Sequence, residues 1–407
     1  KAAPRVLQRP DTSESHMENK FIFQTSCISL VPVLGTSVSV IRVDQSNHKR
    51  VIALYVTALT LFSNVSQATP TGGEVVSGTG SITQSAATTT VKQATQNLSI
   101  NWKSFNVAPQ EVVNFVQPST SSIAVNRILD TSGSQILGSI NANGQVYLIN
   151  PNGILFGQGA QVNVRGLVAS ALDFNDDQLS DNAKGFFGNG TGSIINQGNL
   201  TAANGGYVAL LGSSVTNQGL IKSPQGSVML GAGNNVTLSF ENNNLLKMQV
   251  NQSLLDTLAE NGGLIQTAGG QVIMNAGAKN TLQASVVNNT GVIEAHTLDS
   301  QTGKIILLSG MELGTTDVSG TLDASAPDGG NGGFIETSAA HVKIIDGVKV
   351  STVSEEGNNG TWLIDPADFN IGSAADGAVS NISGATLSSN LGSTDVVILS
   401  SGGTADG

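Results

Sequence analysis

Side chains able to act as catalysts or metal ligands are scarce along most of this sequence. After residue 68 the only histidines are His296 and His341, and the single cysteine, Cys27, lies before that point. No His-Glu-x-x-His, Cys/His zinc spacing or Gly-x-Ser-x-Gly elbow is present. The glycine-rich run 188–193 lacks the lysine of a phosphate loop, and the run 328–334 lacks the aspartate that completes a calcium repeat. We therefore predict no catalytic site, no metal site and no cofactor.

Four aspartates between residues 173 and 181 are the strongest candidate cluster. Asp173, Asp176, Asp177 and Asp181 could suggest Ca²⁺, but their spacing is not that of an EF-hand loop. The polar and then glycine-rich segment 173–192 is therefore interpreted as a solvated loop that leaves the main fold.

Enzymes that cleave polysaccharides are the serious catalytic alternative for a β-rich repeat protein. Their sites need grouped carboxylates, often with a nearby Arg or Lys. Arg127 and Arg165 are the only arginines after residue 68, and the repeats carry no tight acidic cluster. The sequence thus disfavours an enzyme.

Composition indicates a folded chain rich in short strands. The 407 residues include 48 glycines, with 39% hydrophobic, 12% charged and 4% aromatic residues. Valine, isoleucine, leucine, threonine and serine, interrupted by Gly and Asn, favour strands and tight turns. The net charge of −11 offers no basic face, which excludes nucleic acid as an expected partner.

The first 68 residues differ from the rest in charge and predict a cleaved leader. They carry seven Lys/Arg and four Asp/Glu, whereas the remainder carries eleven and twenty-five. Basic residues 48–50, an apolar run 51–62 and the small residues Ser66 and Ala68 are typical of a secretory signal. Cleavage is predicted between Ala68 and Thr69. The apolar run is too short to span a membrane, which needs about 20 residues.

The predicted cleavage would remove Cys27, leaving an exported chain without cysteine. Simple composition bias explains this absence. A requirement to stay unfolded and uncrosslinked while threading a second membrane explains it equally well. The sequence leaves both readings open.

Two short sequence units alternate along the chain. The first is a glycine followed by a β-rich run, at residues 205–212, 225–233, 269–277, 302–310 and 331–339. The second joins two apolar runs through Asn or Gly, at residues 194–202, 215–223, 286–295 and 318–324. A unit with only two or three strands cannot bury its own apolar face, so it must stack on its neighbours.

This stacking predicts an all-β fold, a right-handed parallel β-helix. Strands of successive coils would pair about 4.8 Å apart, with Gly and Asn at the corners and with amide ladders where Asn residues stand in register. A large β-sandwich is the alternative, but hairpins every 8 to 12 residues would then be expected. The alternation of two distinct units favours the β-helix.

Three segments depart from the repeat. Residues 69–118 lack coil spacing and are interpreted as an N-terminal β cap over the open end of the solenoid. Residues 251–263 place leucines at helical spacing between Ser253 and Gly262, which predicts a short inserted helix. The 173–192 loop is the third departure, so the β-helix is expected to carry small insertions outside its coils.

The run YLINPNGILFG, residues 147–157, places a turn signal between two strand signals. Pro151 fixes φ, Asn152 tolerates a positive φ and Gly153 completes a β-turn. Such a turn lets the chain reverse as a hairpin or round a corner between two strands. In the context of the repeats, we expect the turn to shape the early coils.

Residues 100–172 carry several short motifs in a fixed order. Their positions are Trp102, Phe105, Asn106, Asn114, Phe115, Gln117, Pro118, Asn126, Arg127, Asn150, Pro151, Asn152, Gly153 and Ile154. In these motifs the sequence resembles the secretion domain of two-partner-secretion exoproteins, the filamentous-haemagglutinin-like family, and is most similar to its high-molecular-weight adhesin branch. An upstream Asn-Pro-Asn-Leu, found in part of the family, is absent.

The resemblance implies a function in export. It implies a capped β-helix that is recognised by periplasmic modules of an outer-membrane transporter, crosses its pore unfolded and folds outside. The expected domains are a leader (1–68), the secretion domain (69–330) and further repeats of a longer exoprotein (331–407). The expected protein is a secreted or cell-surface adhesin or haemagglutinin, with a host-cell receptor or glycan as a further partner. A toxin, cytolysin or haem-acquisition protein with the same secretion domain is the alternative.

Overall fold

A computed structural model describes residues 69–251, 256–277, 285–373 and 381–400. The expected leader and Ala68 lie outside these residues. The secondary structure within them is almost entirely β, and the helices there are short. None of the helices in these ranges has the length and apolar character needed to cross a membrane.

The strands are numbered here in chain order. The first nine are β1 (Glu74–Ser77), β2 (Gly80–Ser85), β3 (Thr88–Gln93), β4 (Asn97–Trp102), β5 (Val112–Val116), β6 (Ile123–Ile128), β7 (Ser134–Ile136), β8 (Ser139–Ala142) and β9 (Gln145–Ile149). The next eleven are β10 (Ile154–Phe156), β11 (Gln161–Ser170), β12 (Asp173–Phe174), β13 (Ala183–Phe187), β14 (Ser193–Asn196), β15 (Asn199–Gly212), β16 (Ser214–Asn217), β17 (Leu220–Lys222), β18 (Ser227–Ala232), β19 (Asn235–Glu241) and β20 (Asn244–Val250). The last fifteen are β21 (Thr257–Asn261), β22 (Leu264–Gln266), β23 (Gln271–Ala276), β24 (Ser285–Asn289), β25 (Val292–Glu294), β26 (Lys304–Leu308), β27 (Thr315–Val318), β28 (Thr321–Asp323), β29 (Phe334–Ala339), β30 (His341–Ile344), β31 (Lys349–Ser351), β32 (Thr361–Pro366), β33 (Ile371–Gly372), β34 (Ile382–Ser383) and β35 (Asp395–Ile398). A 3₁₀ helix (Asp176–Ser180) follows β12, and helix α1 (Gly384–Asn390) follows β34.

From β7 onward, each coil adds one strand to each of three parallel stacks, as a parallel β-helix requires. The first stack is β7, β10, β14, β16, β21, β24, β27 and β30. The second stack runs from β3 through β5, β8, β17, β22, β25 and β28 to β31. The third stack runs from β4 through β6, β9, β18, β23, β26, β29 and β32 to β35. The long strands β11 and β15 bend between the second and third stacks and contribute to both.

The two sequence units correspond to different parts of this coil. Units of the first kind are the strands of the third stack, such as β18 and β23. Units of the second kind lead from the first stack round a corner to the second, as β16 and β17 do. The prediction of a β-helix is therefore confirmed, and the period-2 pattern of each strand supplies its core.

Inward side chains of the three stacks form one continuous apolar core. In the third stack, one inward row contains Leu148, Ala169, Leu210 and Leu230, each at most 1% exposed. Burial of such rows contributes about 25 cal/mol per Å² of apolar surface. Each coil therefore gains most of its stability from its neighbours.

The segment 69–118, expected to cap the solenoid, contains both antiparallel strands and the first parallel coils. Within residues 69–118, β1 pairs antiparallel with β4, β2 pairs antiparallel with β3, and Thr71 forms an antiparallel bridge with Ser104. Strands β3 and β4 already stack in parallel on β5 and β6. Coil spacing is hidden in residues 88–118 because their repeats lack the glycine pattern of the later coils.

The segment 173–192 is not a solvated loop, so that prediction was wrong. Strands β12, β13, β19 and β20 form an antiparallel sheet outside the coils, which we call the outer sheet. Phe174 and Phe186 are 2% and 0% exposed, since they pack on outward side chains of the third stack. The polar sequence around them concealed this second core.

The predicted helix at residues 251–263 was also wrong where the structure describes it. Residues 252–255 lie outside the described residues, and Thr257–Asn261 is the strand β21. Its burial alternates along the strand, and it pairs in parallel with β16 and β24. These ladder hydrogen bonds and the alternating burial outweigh helical leucine spacing.

Candidate functional site

The Asn-Pro-Asn-Gly segment forms the corner between β9 of the third stack and β10 of the first. The Gly153 N–H donates to the Asn150 carbonyl at 2.9 Å, which closes a β-turn. Because the two strands belong to different stacks, the turn rounds a corner and does not make a hairpin.

Asn150 holds this corner against the preceding coil. Its side chain is fully buried, and Nδ2 donates to the Ser132 carbonyl at 3.1 Å and to Ser134 Oγ at 3.0 Å. Its Oδ1 accepts from the Asn152 N–H at 3.0 Å. These hydrogen bonds join the Asn150 corner to the preceding coil.

The middle of the motif is exposed to solvent. Pro151 and Asn152 both lie on the surface, although Asn152 Nδ2 donates to the Asp130 carbonyl at 2.8 Å. Asn152 does not adopt the positive φ that the sequence suggested; Gly153 does, at 98°. Glycine suffers little steric penalty there, so the left-handed residue falls on it.

The next coil packs closely on this corner. A Cβ on Gly153 would lie 2.7 Å from the Ser193 carbonyl oxygen, and one on Gly192 would lie 2.1 Å from the Gly153 nitrogen. The glycines thus allow close contact between successive coils. Ile154 follows as a buried core residue of β10.

Trp102, Phe105 and Asn126 form a buried cluster in the first coils. The Trp102 indole N–H donates to Asn126 Oδ1 at 2.9 Å, and the Trp102 and Phe105 rings pack edge to face at 5.4 Å. Asn126 Nδ2 donates to the carbonyls of Ala124 and Tyr147. Since Tyr147 lies in β9, this cluster connects to the strand that leads into the Asn150 corner.

Gln117 organises the corner between the second and third stacks. Its Nε2 donates to the Ser122 carbonyl at 3.0 Å and to Gln93 Oε1 at 3.1 Å, while Oε1 accepts from the Gly144 N–H at 3.0 Å. Pro118 beside it is exposed. This corner is separate from the Asn150 corner.

The remaining asparagine and phenylalanine positions also support the coil. Asn106 Oδ1 accepts from the Gln135 N–H at 2.8 Å, and Asn114 Oδ1 accepts from Asn141 Nδ2 at 3.2 Å. Phe115 is 3% exposed in the core. None of these side chains converges on the Asn150 corner.

Arg127 reaches outward to the outer sheet. Its Nε lies 3.2 Å from Asp173 Oδ1 and its Nη2 lies 2.7 Å from Asp176 Oδ1. It also donates to the Phe174 carbonyl. Two of the four aspartates that suggested a calcium loop, Asp173 and Asp176, thus bind an arginine side chain. Over the described ranges, no three His, Asp, Glu or Cys side chains are grouped so as to hold a metal ion.

A buried ladder of asparagine side chains joins successive later coils by hydrogen bonds. Nδ2 of Asn196 donates to Oδ1 of Asn217 at 2.8 Å, Asn217 donates to Asn261 at 2.7 Å, and Asn261 donates to Asn289 at 2.8 Å. The repeated Asn-Gly corners predicted such ladders in general.

The hydroxyl groups of the buried Tyr147 and Tyr207 lie 3.2 Å apart, and nothing in the sequence predicted this pair. Burial raises the pKa of both phenols, which remain neutral donors.

Comparisons with known proteins agree with this arrangement. Two proteins of Haemophilus influenzae, each named heme/hemopexin-binding protein, are 32% identical over 250 residues and 31% identical over 265. These alignments cover 58% of this chain but 27% and 28% of the relatives. The chain therefore spans little more than a quarter of the length of the curated relatives it matches.

A solved structure and a family profile point the same way. The crystal structure of the HMW1 secretion domain from Haemophilus influenzae matches with a TM-score of 0.65 and 25% identity, covering 81% of this chain and 82% of that chain. The profile of the TPS secretion domain matches residues 66–324, more than half of the chain. This chain belongs to the TPS secretion-domain family, the two-partner-secretion domains that an outer-membrane transporter recognises for export across the outer membrane.

Proposed function

We propose that residues 69–330 act in export by folding coil by coil as they leave the transporter, and that Asn150 completes the early coils. The observation that carries this proposal is the reach of the Asn150 amide back to Ser132 and Ser134 on the preceding coil. Because the Asn150 corner is held by contacts to the preceding coil, it can form as soon as that coil has folded. Such contacts are compatible with assembly from the N-terminal end.

The exposed and buried parts of the motif have different roles in this proposal. Asn150 and Gly153 set the backbone path, because the first is hydrogen-bonded in the interior and the second has a positive φ. Pro151 and Asn152 lie on the surface and are available to the periplasmic modules of the transporter. Trp102 and Asn126 act with Asn150 through β9.

Burial between coils supplies a driving force for export. ATP is not available at the outer membrane, so directionality must come from folding or binding outside. Each new coil adds three strands of ladder hydrogen bonds and one further layer of the apolar core. At about 25 cal/mol per Å², this burial opposes backward movement of the chain.

The remaining parts of the chain have supporting roles. Residues 1–68 direct passage across the inner membrane and are removed between Ala68 and Thr69. After residue 330, the strands β29 to β32 and β35 continue the three stacks, which supports a role for this part as further repeats of a longer exoprotein. The secreted protein acts at the cell surface or in the medium.

The export role is tested by fusing residues 1–407 to a periplasm-stable reporter. The fusion is expressed in a Gram-negative host with and without its outer-membrane transporter partner. Reporter in the medium or on the surface only when the partner is present is the expected result. Reporter that leaves the cell equally well without the partner, or stays in the periplasm with it, would contradict the proposal.

We propose a ligand-binding adhesin or haemagglutinin as the whole protein, with a host-cell receptor or glycan as its partner. The names of the two Haemophilus relatives favour a second candidate, a protein that binds haem or haemopexin. Full-length secreted protein should be tested for binding to host cells and, separately, to haem-loaded haemopexin. Tight binding only to haemopexin would replace the first candidate with the second.

A further inference from the structure

The outer sheet is assembled from two insertions that are distant in the sequence. Strands β12 and β13 lie between coils at residues 173–187, whereas β19 and β20 lie at residues 235–250. β13 and β19 pair antiparallel, with Ala183 opposite Ser239 and Phe187 opposite Asn235. The sheet can therefore close only after the coil made by β14 and β15, and the following coil through β18, have been added.

The outer sheet covers an apolar row on the outside of the third stack. Tyr147 and Tyr207 are fully buried beneath it. Phe174 lies 5.1 Å from Phe186 and 6.0 Å from Tyr147, and Phe240 lies 5.4 Å from Tyr207, between ring centroids. The outer sheet belongs to one apolar cluster that also contains outward side chains of successive coils, from Ile123 in β6 to Ile306 in β26.

Both arginines of the chain after residue 68 bind this sheet or its insertions. Arg127, in β6, contacts Asp173 and Asp176 of the first insertion. Arg165, in β11, donates from Nη2 to Asn244 Oδ1 of the second insertion at 3.2 Å, and from Nη1 to the Gly205 carbonyl at 2.6 Å. Each guanidinium thus joins an early coil to a segment that comes later in the chain.

We propose that the outer sheet is a latch: it closes after the coils beneath it have formed, and it must open before they unfold. The sequence separations across it support late closure, since 46 residues separate Arg127 from Asp173 and 79 separate Arg165 from Asn244. Coil pairings without an insertion span as few as 20 or 21 residues, as between Tyr207 and Ser227 or Gln145 and Gly166, whereas pairings across an insertion span 38 to 44. The short coil pairings form first, because loop closure must be completed before distant contacts stabilise the chain. Interactions made after the transition state act on the unfolding rate and leave the folding rate unchanged.

The latch slows the return of exported coils to the unfolded state. This inference goes beyond the export signal, because it concerns the folded chain alone. Its test needs no transporter, so its failure and the failure of the proposed function are distinguishable.

The test measures folding and unfolding rates of the purified chain in denaturant, using the buried Trp102 and Trp362 as fluorescent probes. Arg127→Gln and Arg165→Gln are each expected to raise the unfolding rate about tenfold and to change the refolding rate by less than about twofold. Lys222→Gln removes an exposed charge from the second stack and should change neither rate. Asp173→Asn is the milder variant should Arg127→Gln fail to fold, since the Asp173 side chain is 57% exposed.

Amide hydrogen exchange supplies a second readout. Relative to the unmodified chain, the arginine variants should accelerate hydrogen exchange more at the amides of β13 and β19 than at those of β14 and β16. The latch is refuted if more than half of the change in stability appears in the refolding rate, or if neither rate changes. Equal acceleration of exchange in all four strands would refute it as well.

Discussion

Nδ2 of Asn217 donates a hydrogen bond to Oδ1 of Asn261 at 2.7 Å, although 44 residues separate them in the chain. Both side chains are fully buried, and each is flanked by another asparagine of the same ladder, Asn196 or Asn289. A buried amide is stabilising only when its donors and acceptor are paired. The ladder therefore fixes the vertical register of the first stack over four coils.

Removing the middle of this ladder should destabilise the chain strongly. Asn217→Ala removes the donor to the buried Asn261 oxygen and the closer of the two acceptors of the Asn196 amide, so a loss of about 2 to 4 kcal/mol is expected. Equilibrium unfolding in urea measures it. Asn163→Ala is the matched control, since Asn163 ends an exposed ladder and should change stability by less than about 0.5 kcal/mol. Equal losses in both variants would contradict a special role for the buried ladder.

The Trp102–Asn126 hydrogen bond should appear as a coupling energy. Trp102→Phe removes the indole donor and Asn126→Ala removes its acceptor, so a double-mutant cycle should give about 1 to 2 kcal/mol of interaction. Trp362→Phe combined with Asn126→Ala is the control, because Trp362 donates to Thr337 and contacts other coils. A Trp102–Asn126 pair that is additive in urea unfolding would show that the bond contributes nothing beyond packing.

Much of the coil could be predicted from the sequence because its signals are local. Gly and Asn recur where successive stacks meet, and each strand between them alternates or is apolar throughout. The exceptions come from non-local pairing. The spacing of Leu258 from the preceding leucines predicted a helix over Thr257–Asn261, yet the partners of this strand are Ser214–Asn217 and Ser285–Asn289 on neighbouring coils.

The outer sheet and the contacts of the motif residues could not be predicted from the sequence, because they also depend on pairing between distant parts of the chain. Phe174 and Phe186 lie in a polar segment, and their partners come from β9 and from residues 235–250. The motif positions were identified by resemblance, but a sequence does not show that Asn126 accepts from Trp102 or that Asn150 reaches Ser134. Those pairings exist only once the coils stack.

His296 and Asp323 predict a pH dependence of stability. Their side chains lie 3.3 Å apart, and the hydrogen bond to Asp323 raises the pKa of His296 above 6.5. Burial would raise the pKa of Asp323, but hydrogen bonds from His296 and Ser325 lower it below 3.8. The raised pKa of His296 stabilises the folded state. This contribution is fully present below pH 6.5 and is lost as the pH rises through the pKa of His296 in the folded state. The lowered carboxyl pKa contributes above 3.8 and is lost as the pH falls through its folded value.

The His296–Asp323 pair therefore stabilises the chain mainly between pH 3.8 and pH 6.5. His296→Gln should reduce the unfolding free energy by about 0.5 to 1 kcal/mol at pH 5.5 and by less at pH 8. Urea unfolding at both pH values measures the difference. His341→Gln, at an exposed position, is the control. A loss for His296→Gln that grows with pH would contradict the assignment.

Gly153 should not tolerate a side chain. Gly153→Ala places a Cβ 2.7 Å from the Ser193 carbonyl at a φ of 98°, so a loss of about 2 to 4 kcal/mol is expected. Gly347→Ala separates the two causes: Gly347 has a φ of 86°, but nothing lies within 4 Å of the new Cβ, so about 1 kcal/mol should be lost. Thermal or urea unfolding compares them. Similar losses would mean that the close contact between coils at Gly153 is unimportant.

Export of an Asn150 variant with the transporter present tests the central claim most directly. Asn150→Ala, Asn152→Ala and the control Asn163→Ala are expressed in the full chain, and the secreted fraction and its protease resistance are measured together. The account predicts that Asn150→Ala lowers both the secreted fraction and its protease resistance, whereas Asn163→Ala changes neither. Asn150→Ala protein that is secreted in normal amounts and is as protease-resistant as the unmodified chain would contradict the account.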